Sequence, residues 1–459
     1  MAGQRGHAVV VGASIGGLLA ARVLSDHFER VSVVERDELP ALPANRRGVP
    51  QGRHVHLLTQ RGSQIMERLF PGILGQLVDC GVAVWDDGDI SKVYTALAGK
   101  YQLPASGYLR NWQPFYFPSR PLLEWAVRNR TQALANVSFL ENHQLVSLMS
   151  TANRDRIIGV CVLQRGCAGE TSHSLTADLV VDATGRGSHL PIYLQELGYG
   201  SPRQQEVTVQ LVYASQQVRL PPNHLARYAI AVPPRPERPT IWALNRQEAQ
   251  WILTVGAMGG EMPPMGWHER VCMAAGHVPP DVLEALQDAQ PVGEVAVHRL
   301  PSNRWRRYDE MKRFPSGLLV VGDALCSFNP IYGQGMTVAG LEALLLGECL
   351  RRGQLNDLAS RFFDGAAKTV RVAWQLAVGA DLMLPQVPGP RPRTMRITNA
   401  YMERVMAAAE VDLGVTEQFL RITGMLDSPA RMLRPTFMLR VAMANRRRAT
   451  PSRTVVQGR

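Results

Sequence analysis

The first forty residues alternate between short apolar runs and one segment with helical spacing. Valines fill most of positions 7 to 11, apolar residues recur at helical intervals from Ile15 to Leu24, and a second apolar run covers positions 31 to 35. This order predicts a strand, a helix and a second strand. In a parallel sheet such a βαβ unit has a right-handed crossover.

Three later segments have the same character. Residues 118 to 134 have helical spacing with prolines at the start, and residues 176 to 185 and 316 to 325 are apolar runs that end in glycine turns. They predict one helix and two buried strands. Together with the opening unit, they indicate an α/β domain of the Rossmann-like type, built from separate pieces of the chain.

The pattern changes after residue 200. Apolar and polar residues alternate with period two in parts of the segment from 200 to 300, and prolines crowd the gaps between the runs. This predicts an inserted antiparallel sheet. From residue 336 onward the spacing is helical, which predicts a C-terminal helical region.

Composition sets the broad class. A chain of 459 residues with 46% hydrophobic and 19% charged residues is expected to fold into two or three globular domains. The six cysteines are scattered without zinc-type pairing, which predicts reduced thiols in a cytosolic protein. His54 and His56 have no apparent third ligand, so no metal site is expected.

The net charge of +11 invites a nucleic-acid or membrane interpretation. Residues 444 to 459 carry five arginines and no acid, which fits a solvated basic tail. Attraction to an anionic membrane or partner is the alternative. No nucleic-acid-binding motif accompanies the charge.

The turn after the first strand matches a dinucleotide-binding fingerprint. Gly12, Ser14 and Gly17 occupy its three positions: the first allows the tight turn, the second faces the pyrophosphate, and the third lets the helix pack on the sheet. Glu35 ends the second strand, where a carboxylate can accept the ribose hydroxyls of an adenosine, and Arg36 follows it. These residues together indicate a bound dinucleotide.

A second glycine-rich stretch has a different interpretation. "GAMGGE" (256–261) ends a strand of the antiparallel region and is followed by Pro263 and Pro264. Because proline removes backbone donors, no helix begins there in register, and we expect a glycine turn in a hairpin.

The stretch "GDALCSFNPIYGQGM" (322–336) indicates which dinucleotide is bound. A buried strand delivers Asp323 to the edge of the sheet, where it can accept a hydrogen bond from a ribityl hydroxyl. Gly333 and Gly335 allow backbone to approach a flat ring, and the helix from Met336 directs its N-terminal dipole at it. A nicotinamide cofactor has no ribityl chain, so the stretch favours FAD.

With these motifs the chain resembles a known family, the FAD-dependent monooxygenases of the p-hydroxybenzoate hydroxylase fold. Within them it is most similar to squalene epoxidases and to the polyene epoxidases of bacterial polyether-antibiotic pathways. The resemblance spans about residues 7 to 350 and rests on "GASIGG", "ERD", "RRGVPQGRHVHLL", "SRPLLEW", "VVDATGRGS" and "GDALCSFNPIYGQGM".

The resemblance implies further cofactor contacts. The fingerprint residues hold the pyrophosphate, and the acid and arginine after the second strand hold the adenosine. Arg47 or Arg53 approaches the flavin or the pyrophosphate, Arg120 lies near the FAD, and Val146 offers a backbone contact to adenine. The two histidines of "GRHVH" are interpreted as polar groups near the flavin.

The remaining contacts lie in the two later strand ends. By resemblance, Asp182 and Gly185 help to hold FAD and, in hydroxylases, a transiently bound NADPH. Asp323 and Met336 complete the flavin site, with Pro330 beside the reactive edge of the ring. The expected division is FAD-binding domain at 1–80, 111–200 and 296–365, substrate-side segment at 81–110, antiparallel-sheet substrate domain at 201–295, and C-terminal helical cap with a basic tail at 366–459.

The resemblance also implies an activity. The expected enzyme uses O₂ and FAD to epoxidise carbon–carbon double bonds of a large apolar polyketide or terpenoid intermediate, through a flavin 4a-hydroperoxide, with no catalytic side chain identified. NAD(P)H supplies electrons directly or through a flavin reductase. Aromatic hydroxylation, double-bond reduction on isoprenoid chains and FAD binding without turnover are the alternatives. Peripheral membrane contact through the C-terminal helices is a further hypothesis.

Overall fold

The computed structural model describes residues 5–165, 171–221 and 225–449. Its helices are α1 Ile15–Ser25, α2 Gln60–Leu69, α3 Ile73–Asp79, α4 Arg120–Gln132, α5 Leu190–Glu196, α6 Trp267–Cys272, α7 Pro280–Gln287, α8 Gly335–Arg352, α9 Leu358–Asp381, α10 Arg393–Ala409, α11 Leu413–Thr423 and α12 Pro435–Ala449. Its strands are β1 Arg5–Val11, β2 Phe28–Val34, β3 Val84–Trp85, β4 Val93–Leu97, β5 Tyr101–Gln102, β6 Phe115–Tyr116, β7 Val137–Leu140, β8 His143–Ser150, β9 Ile157–Gln164, β10 Thr171–Thr176, β11 Leu179–Asp182, β12 Arg203–Arg219, β13 Ala229–Val232, β14 Thr240–Gln247, β15 Gln250–Ala257, β16 Gln290–Arg307, β17 Leu318–Val320 and β18 Cys326–Ser327.

A five-stranded parallel sheet forms the first layer, in the order β17, β11, β1, β2, β7. The predicted βαβ unit and both later strands belong to it, so the Rossmann-like architecture is confirmed. Strand order reverses between β1 and β11. Ligands of doubly wound sheets bind beyond the carboxyl ends of the strands at such a switch point.

Two glycine turns meet at this edge of the sheet. A side chain on Gly16, in the first turn of α1, would lie 3.7 Å from the Cα of Gly322, just after β17. The first turn of α1 therefore packs against the turn that precedes Asp323. The two motifs that the sequence separates by three hundred residues form one surface.

The inserted antiparallel sheet is also present, and it is larger than its own segment. Eight strands follow the order β18, β16, β12, β15, β14, β13, β4, β5, and all neighbours are antiparallel except β13 and β4. β4 and β5 come from the expected substrate-side segment. β16 runs on past the expected boundary at residue 295.

The "GAMGGE" stretch begins no helix, in agreement with the sequence interpretation. Gly259 and Gly260 have φ of +81° and +86° and donate to the carbonyl oxygens of Val209 and Gln210 on β12. The next element is α6 rather than a strand. The turn therefore leads from a strand into a helix and does not close the hairpin that the sequence suggested.

The C-terminal helices pack on each other and on the substrate-side segment. α10 contacts both α11 and α12, and its buried residues share an apolar cluster with Trp85 and Trp112. Among the described residues, no helix combines the length and apolarity needed to cross a membrane. Positions 450–459 of the basic tail lie outside the described residues.

Candidate active site

One continuous cavity of about 1650 Å³ lies between the parallel sheet, the eight-stranded sheet and the C-terminal helices. Its walls include both glycine motifs, one face of the eight-stranded sheet and apolar side chains of α9 to α11. The cavity is thus located at the switch point of the parallel sheet, where a ligand is expected.

The fingerprint turn has the geometry that its glycines predict. Gly12 has φ of +108°, and its N–H donates to the carbonyl of Val34 at 2.8 Å. A side chain on Gly17 would overlap the carbonyl oxygen of Gly12. Gly12 and Ser14 line the cavity, whereas Gly17 lies behind it and holds α1 close to β1.

A buried charge network surrounds this turn. The guanidinium of Arg46 donates to Glu124 Oε1 at 2.7 Å and to Asp37 Oδ2 at 3.0 Å, and it lies 3.3 Å from Glu35 Oε2. Arg120 donates to Glu124 Oε2 at 3.0 Å. Two arginines therefore compensate three carboxylates, and this pairing is what makes the burial of so many charges tolerable.

The network positions the fingerprint directly. Glu35 Oε2 accepts from the N–H of Ala13 at 2.8 Å, and Arg120 donates to the hydroxyl of Ser14 at 2.7 Å. Each Glu35 oxygen retains acceptor capacity for a ligand hydroxyl, because a carboxylate oxygen can accept more than one hydrogen bond. Glu35, Arg36 and Arg120 all line the cavity.

Asp182 fixes the turn after β11. Its Oδ1 accepts from the N–H of Thr184 at 2.9 Å, and its Oδ2 accepts from the hydroxyl of Ser188 at 2.5 Å. Gly185, three residues after Asp182, has φ of +77°, and a side chain added to it would have no neighbouring atom within 4 Å. Asp182 thus shapes a turn whose glycine is open toward the cavity.

Asp323 lines the cavity, and its side chain is exposed to that open space. Burial raises the pKa of its carboxyl, while Arg120 and Arg186 act in the opposite direction. Among the described residues it has no hydrogen-bond partner. Such a carboxylate is suited to accept a hydrogen bond from a ligand hydroxyl.

Behind Asp323 lies a second acid, Glu342 on α8. It is fully buried, and its Oε2 accepts from the N–H of Gly322 at 2.6 Å. Burial raises the pKa of Glu342 to about 8, with the neighbouring Asp323 acting in the same direction. The turn after β17 is therefore held by a carboxyl group that retains its proton at neutral pH.

A fully buried carboxylate on α9 holds the loop before α8. Asp381 accepts from the amides of Asn303 at 2.6 Å and Asn329 at 3.0 Å, and from the hydroxyl of Tyr332 at 2.7 Å. Asn329, Pro330 and Tyr332 line the cavity. The end of α9, where the chain leaves for the C-terminal helices, is thus tied to this loop.

The structure brings most of the sequence-predicted residues together. Four lie elsewhere: Gly17 is behind the cavity, Arg47 and Arg53 are exposed, and Val146 is 47% exposed while its neighbours Gln144 and Leu145 line the cavity. The predicted residues that line the cavity are Gly12, Ser14, Glu35, Arg36, Arg120, Asp182, Gly185, Asp323, Pro330, Gly333, Gly335 and Met336.

Sequence reasoning missed four residues that shape the site: Arg46, Glu124, Glu342 and Asp381. Arg46 and Glu124 stand inside quoted motifs, beside Arg47 and four residues after Arg120, so a signal was present for them. Asp381 carries no local signal, because its partners are 49 to 78 residues away along the chain.

These residues fit FAD. The cavity runs from an acid-and-arginine end at Glu35 and Arg36, past the open fingerprint turn, to the unpartnered carboxylate of Asp323. Beyond it, a side chain on Gly335 would have no neighbouring atom within 4 Å, which leaves room for a flat ring against the start of α8. The donor and acceptor types match adenosine, pyrophosphate and ribityl groups in that order.

Comparison with known proteins shows the relationships of the chain. Over 430 residues, 92% of the chain, it is 39% identical to Protein Rv3254 of Mycobacterium tuberculosis, of which the match covers 90%. It is 26% identical over 421 residues to kynurenine 3-monooxygenase of Salinispora tropica, covering 88% of this chain and 85% of that protein. No protein-family model matches the chain.

A solved structure shows the fold independently. p-Nitrophenol 4-monooxygenase PnpA of Pseudomonas putida DLL-E4 superposes with a TM-score of 0.62 at 17% identity, covering 93% of this chain and 100% of that one. An expected relationship to FAD-dependent monooxygenases is thereby confirmed at the level of fold. The chain belongs to the family of Protein Rv3254 and has the fold of the FAD-dependent monooxygenases.

Proposed function

We propose that the chain is an FAD-dependent monooxygenase that epoxidises a carbon–carbon double bond of a large, mostly apolar polyketide or terpenoid. The observation that carries this proposal is the apolar compartment of the cavity beyond the cofactor motifs. Its lining includes Leu376 on α9, Met383 in the turn after α9, Met402 and Met406 on α10, and Phe419 on α11. Burying an apolar molecule against such a wall stabilises the complex by about 25 cal/mol per Å².

The cofactor would lie along the residues that the two motifs bring together. Glu35 and Arg36 would hold the adenosine, Ser14 and Arg120 the pyrophosphate, and Asp323 the ribityl chain. Bound FAD supplies the redox chemistry that transfers one atom of O₂ to a substrate. The twelve predicted residues that line the cavity are proposed as cofactor contacts on this basis.

The chain's own contribution is orientation and exclusion of water. The loop of Pro330 and Tyr332, held by Asp381, forms the wall of the cavity next to the start of α8. The C-terminal helices cover the compartment with methionine, leucine and phenylalanine side chains. A compartment that excludes water favours oxygen transfer to the substrate over side reactions with the solvent.

The source of electrons is open to two routes. The dinucleotide fingerprint that begins a βαβ unit occurs once in the described residues, at β1 and α1. We propose two routes. NAD(P)H either docks transiently on the same domain, beside Gly185, and reduces the flavin there, or it reduces a separate flavin reductase that passes reduced flavin to this protein.

Peripheral membrane contact stays a prediction. Leu433 and Met438 line the cavity and are also 66% and 45% exposed, and Leu439 beside them is 60% exposed. Met438 and Leu439 lie on α12, which also carries arginines, and Leu433 lies just before it. An apolar mouth with basic residues nearby would suit uptake of an apolar substrate from an anionic lipid surface.

Aromatic hydroxylation is the second candidate. Similarity to two proteins favours it, kynurenine 3-monooxygenase and p-nitrophenol 4-monooxygenase. Double-bond reduction is the third, because it needs the same cofactor motifs.

Product analysis under ¹⁸O₂ separates these activities. The holoprotein would be supplied with NADPH and a flavin reductase, and offered squalene as a polyene and 2-naphthol as an arene. An ¹⁸O-labelled squalene epoxide supports the proposal, and a labelled naphthalenediol from 2-naphthol supports the second candidate. A product with two added hydrogens and no label supports reduction and contradicts oxygenation.

A further inference from the structure

Three polar rings lie together on the face of the eight-stranded sheet that lines the cavity. Tyr213 on β12 pairs with His298 on β16, and their ring centroids are 5.3 Å apart. His54, from the loop after β2, lies over them with its ring 4.3 Å from Tyr213 and 5.9 Å from His298. All three line the cavity. Tyr213 and His298 lie outside the quoted motifs, whereas His54 belongs to "RRGVPQGRHVHLL", whose histidines the sequence places near the flavin.

One side of this cluster is fixed by the sheet. His54 Nδ1 lies 2.7 Å from the hydroxyl of Ser215, which lies 2.6 Å from the hydroxyl of Thr254 on the neighbouring strand. The hydroxyl of Thr254 also accepts from the N–H of Val55. These contacts set the orientation of the imidazole without using its Nε2 atom.

The other side of the cluster has no protein partners. His54 Nε2, the Tyr213 hydroxyl and the ring nitrogens of His298 make no hydrogen bond to any described residue. His54 and Tyr213 are nevertheless 3% and 5% exposed. His298 is half-buried, and all three groups line the cavity. Polar groups that lack protein partners and face a cavity can hydrogen-bond to a molecule bound there. Three of them side by side therefore point to a ligand with a polar group at this place.

The charge state of the cluster restricts that ligand. Burial lowers the pKa of His54 to about 3, with His298 and His56 acting in the same direction. Burial also lowers the pKa of His298 and raises that of Tyr213. At neutral pH all three groups are uncharged donors and acceptors. They suit a neutral group that both donates and accepts.

We propose that His54, Tyr213 and His298 bind an uncharged hydroxyl group of an otherwise apolar substrate. This rests on the proposed function and adds to it the class of substrate. The hydroxyl group lies on the sheet, and the apolar body faces the methionine and leucine side chains of the C-terminal helices. The group also fixes which part of the substrate reaches the cofactor.

A size-matched pair of probes tests this inference by binding to the oxidised holoprotein. 2-Naphthol and 2-methylnaphthalene differ by one hydroxyl in place of one methyl group. The wild-type protein is expected to bind 2-naphthol at least tenfold more tightly than 2-methylnaphthalene. Binding is measured from the change in flavin absorbance. Tyr213→Phe and His298→Leu should each reduce that preference severalfold with little change for 2-methylnaphthalene.

Tyr193→Phe provides the control, since Tyr193 lines the cavity outside the cluster. It should keep the full preference. The inference is overturned if the wild-type protein shows no preference, or if it fails to bind 2-naphthol up to its solubility limit. A Tyr213→Phe variant with an unchanged preference also overturns it. Both results leave oxygen activation intact, whereas protein that binds no flavin contradicts the proposed function instead.

Discussion

The hydroxyl of Tyr332 donates a 2.7 Å hydrogen bond to Oδ1 of Asp381, the last residue of α9. Tyr332 lines the cavity, and Asp381 lies behind its wall. The contact therefore joins the loop next to the proposed flavin site to the point where the chain departs for the C-terminal helices. Cofactor site and substrate cover share one buried anchor.

Asp381→Asn should weaken this anchor. Both oxygens of Asp381 accept hydrogen bonds, so an amide nitrogen at either position places a donor against a donor. Leaving a buried donor unsatisfied costs about 1 to 3 kcal/mol, and the free energy of unfolding should fall by that amount in urea titrations at fixed FAD. Asp364→Asn, on the exposed side of the same helix, should change it by less than about 0.5 kcal/mol. Equal effects of the two variants would contradict the anchor.

Arg46 and Arg47 offer a test within two adjacent residues. Arg46→Ala leaves Glu35, Asp37 and Glu124 with one fewer buried cation, a change that typically costs about 3 to 5 kcal/mol. We expect lower stability and loss of FAD during purification. Arg47→Ala removes an exposed side chain and should retain FAD as the wild type does. Flavin loss in the Arg47 variant alone would mean that the wrong arginine has been assigned.

Alanine substitutions at Gly335 and Gly17 should affect different properties, FAD affinity in the first case and stability of the apoprotein in the second. An alanine at Gly335 meets no protein atom, so the apoprotein should be as stable as the wild type, while the methyl group enters the space proposed for the flavin ring. We expect FAD affinity, measured by quenching of flavin fluorescence, to fall at least tenfold. Gly17→Ala should instead destabilise the apoprotein itself. Unchanged FAD affinity in the Gly335 variant would remove the ring from this position.

Glu342 predicts a pH dependence of stability. Its folded-state pKa of about 8 exceeds the ordinary value of 4.5. Between these values the unfolded chain ionises while the folded chain keeps the proton. The wild type therefore loses stability as pH rises from about 4.5 to about 8, by at most about 1.4 kcal/mol per pH unit.

Glu342→Gln should remove that loss. The unfolding free energy of the variant, relative to that of the wild type at the same pH, should therefore rise from pH 5 to pH 8. Glu348→Gln, whose side chain on the same helix is 42% exposed, serves as the control and should follow the wild type. Parallel stability curves for Glu342→Gln and wild type would show that Glu342 ionises normally in the folded protein.

Local signals accounted for much of the fold and for the core of the site. The strands and helices near residues 7 to 35 and 316 to 352 follow from apolar spacing and glycine turns, because these depend on neighbours in the chain. The same is true of Gly12 and Asp323, whose positions after strands bring them to the sheet edge.

Long-range pairing explains what the sequence could not reveal. Arg46 is distinguished from Arg47 by its buried contacts with Glu35, Asp37 and Glu124, the last of them 78 residues away along the chain. Val146 lies on β8 at a break in the register with β9, between Leu145 and Ser147, and its side chain is exposed. Such a bulge interrupts the alternation from which the face of a side chain is predicted. The polar cluster of His54, Tyr213 and His298 comes from three distant segments.

The most direct measurement is rapid mixing of the reduced holoprotein with oxygen. Purified protein would be reduced without air, mixed with aerated buffer and followed by absorbance across the flavin spectrum. A monooxygenase predicts a transient species distinct from both oxidised and reduced flavin, whose decay changes when a substrate is present. Reoxidation in a single phase without such a species, with and without squalene or 2-naphthol, would contradict oxygen activation and favour the double-bond reductase.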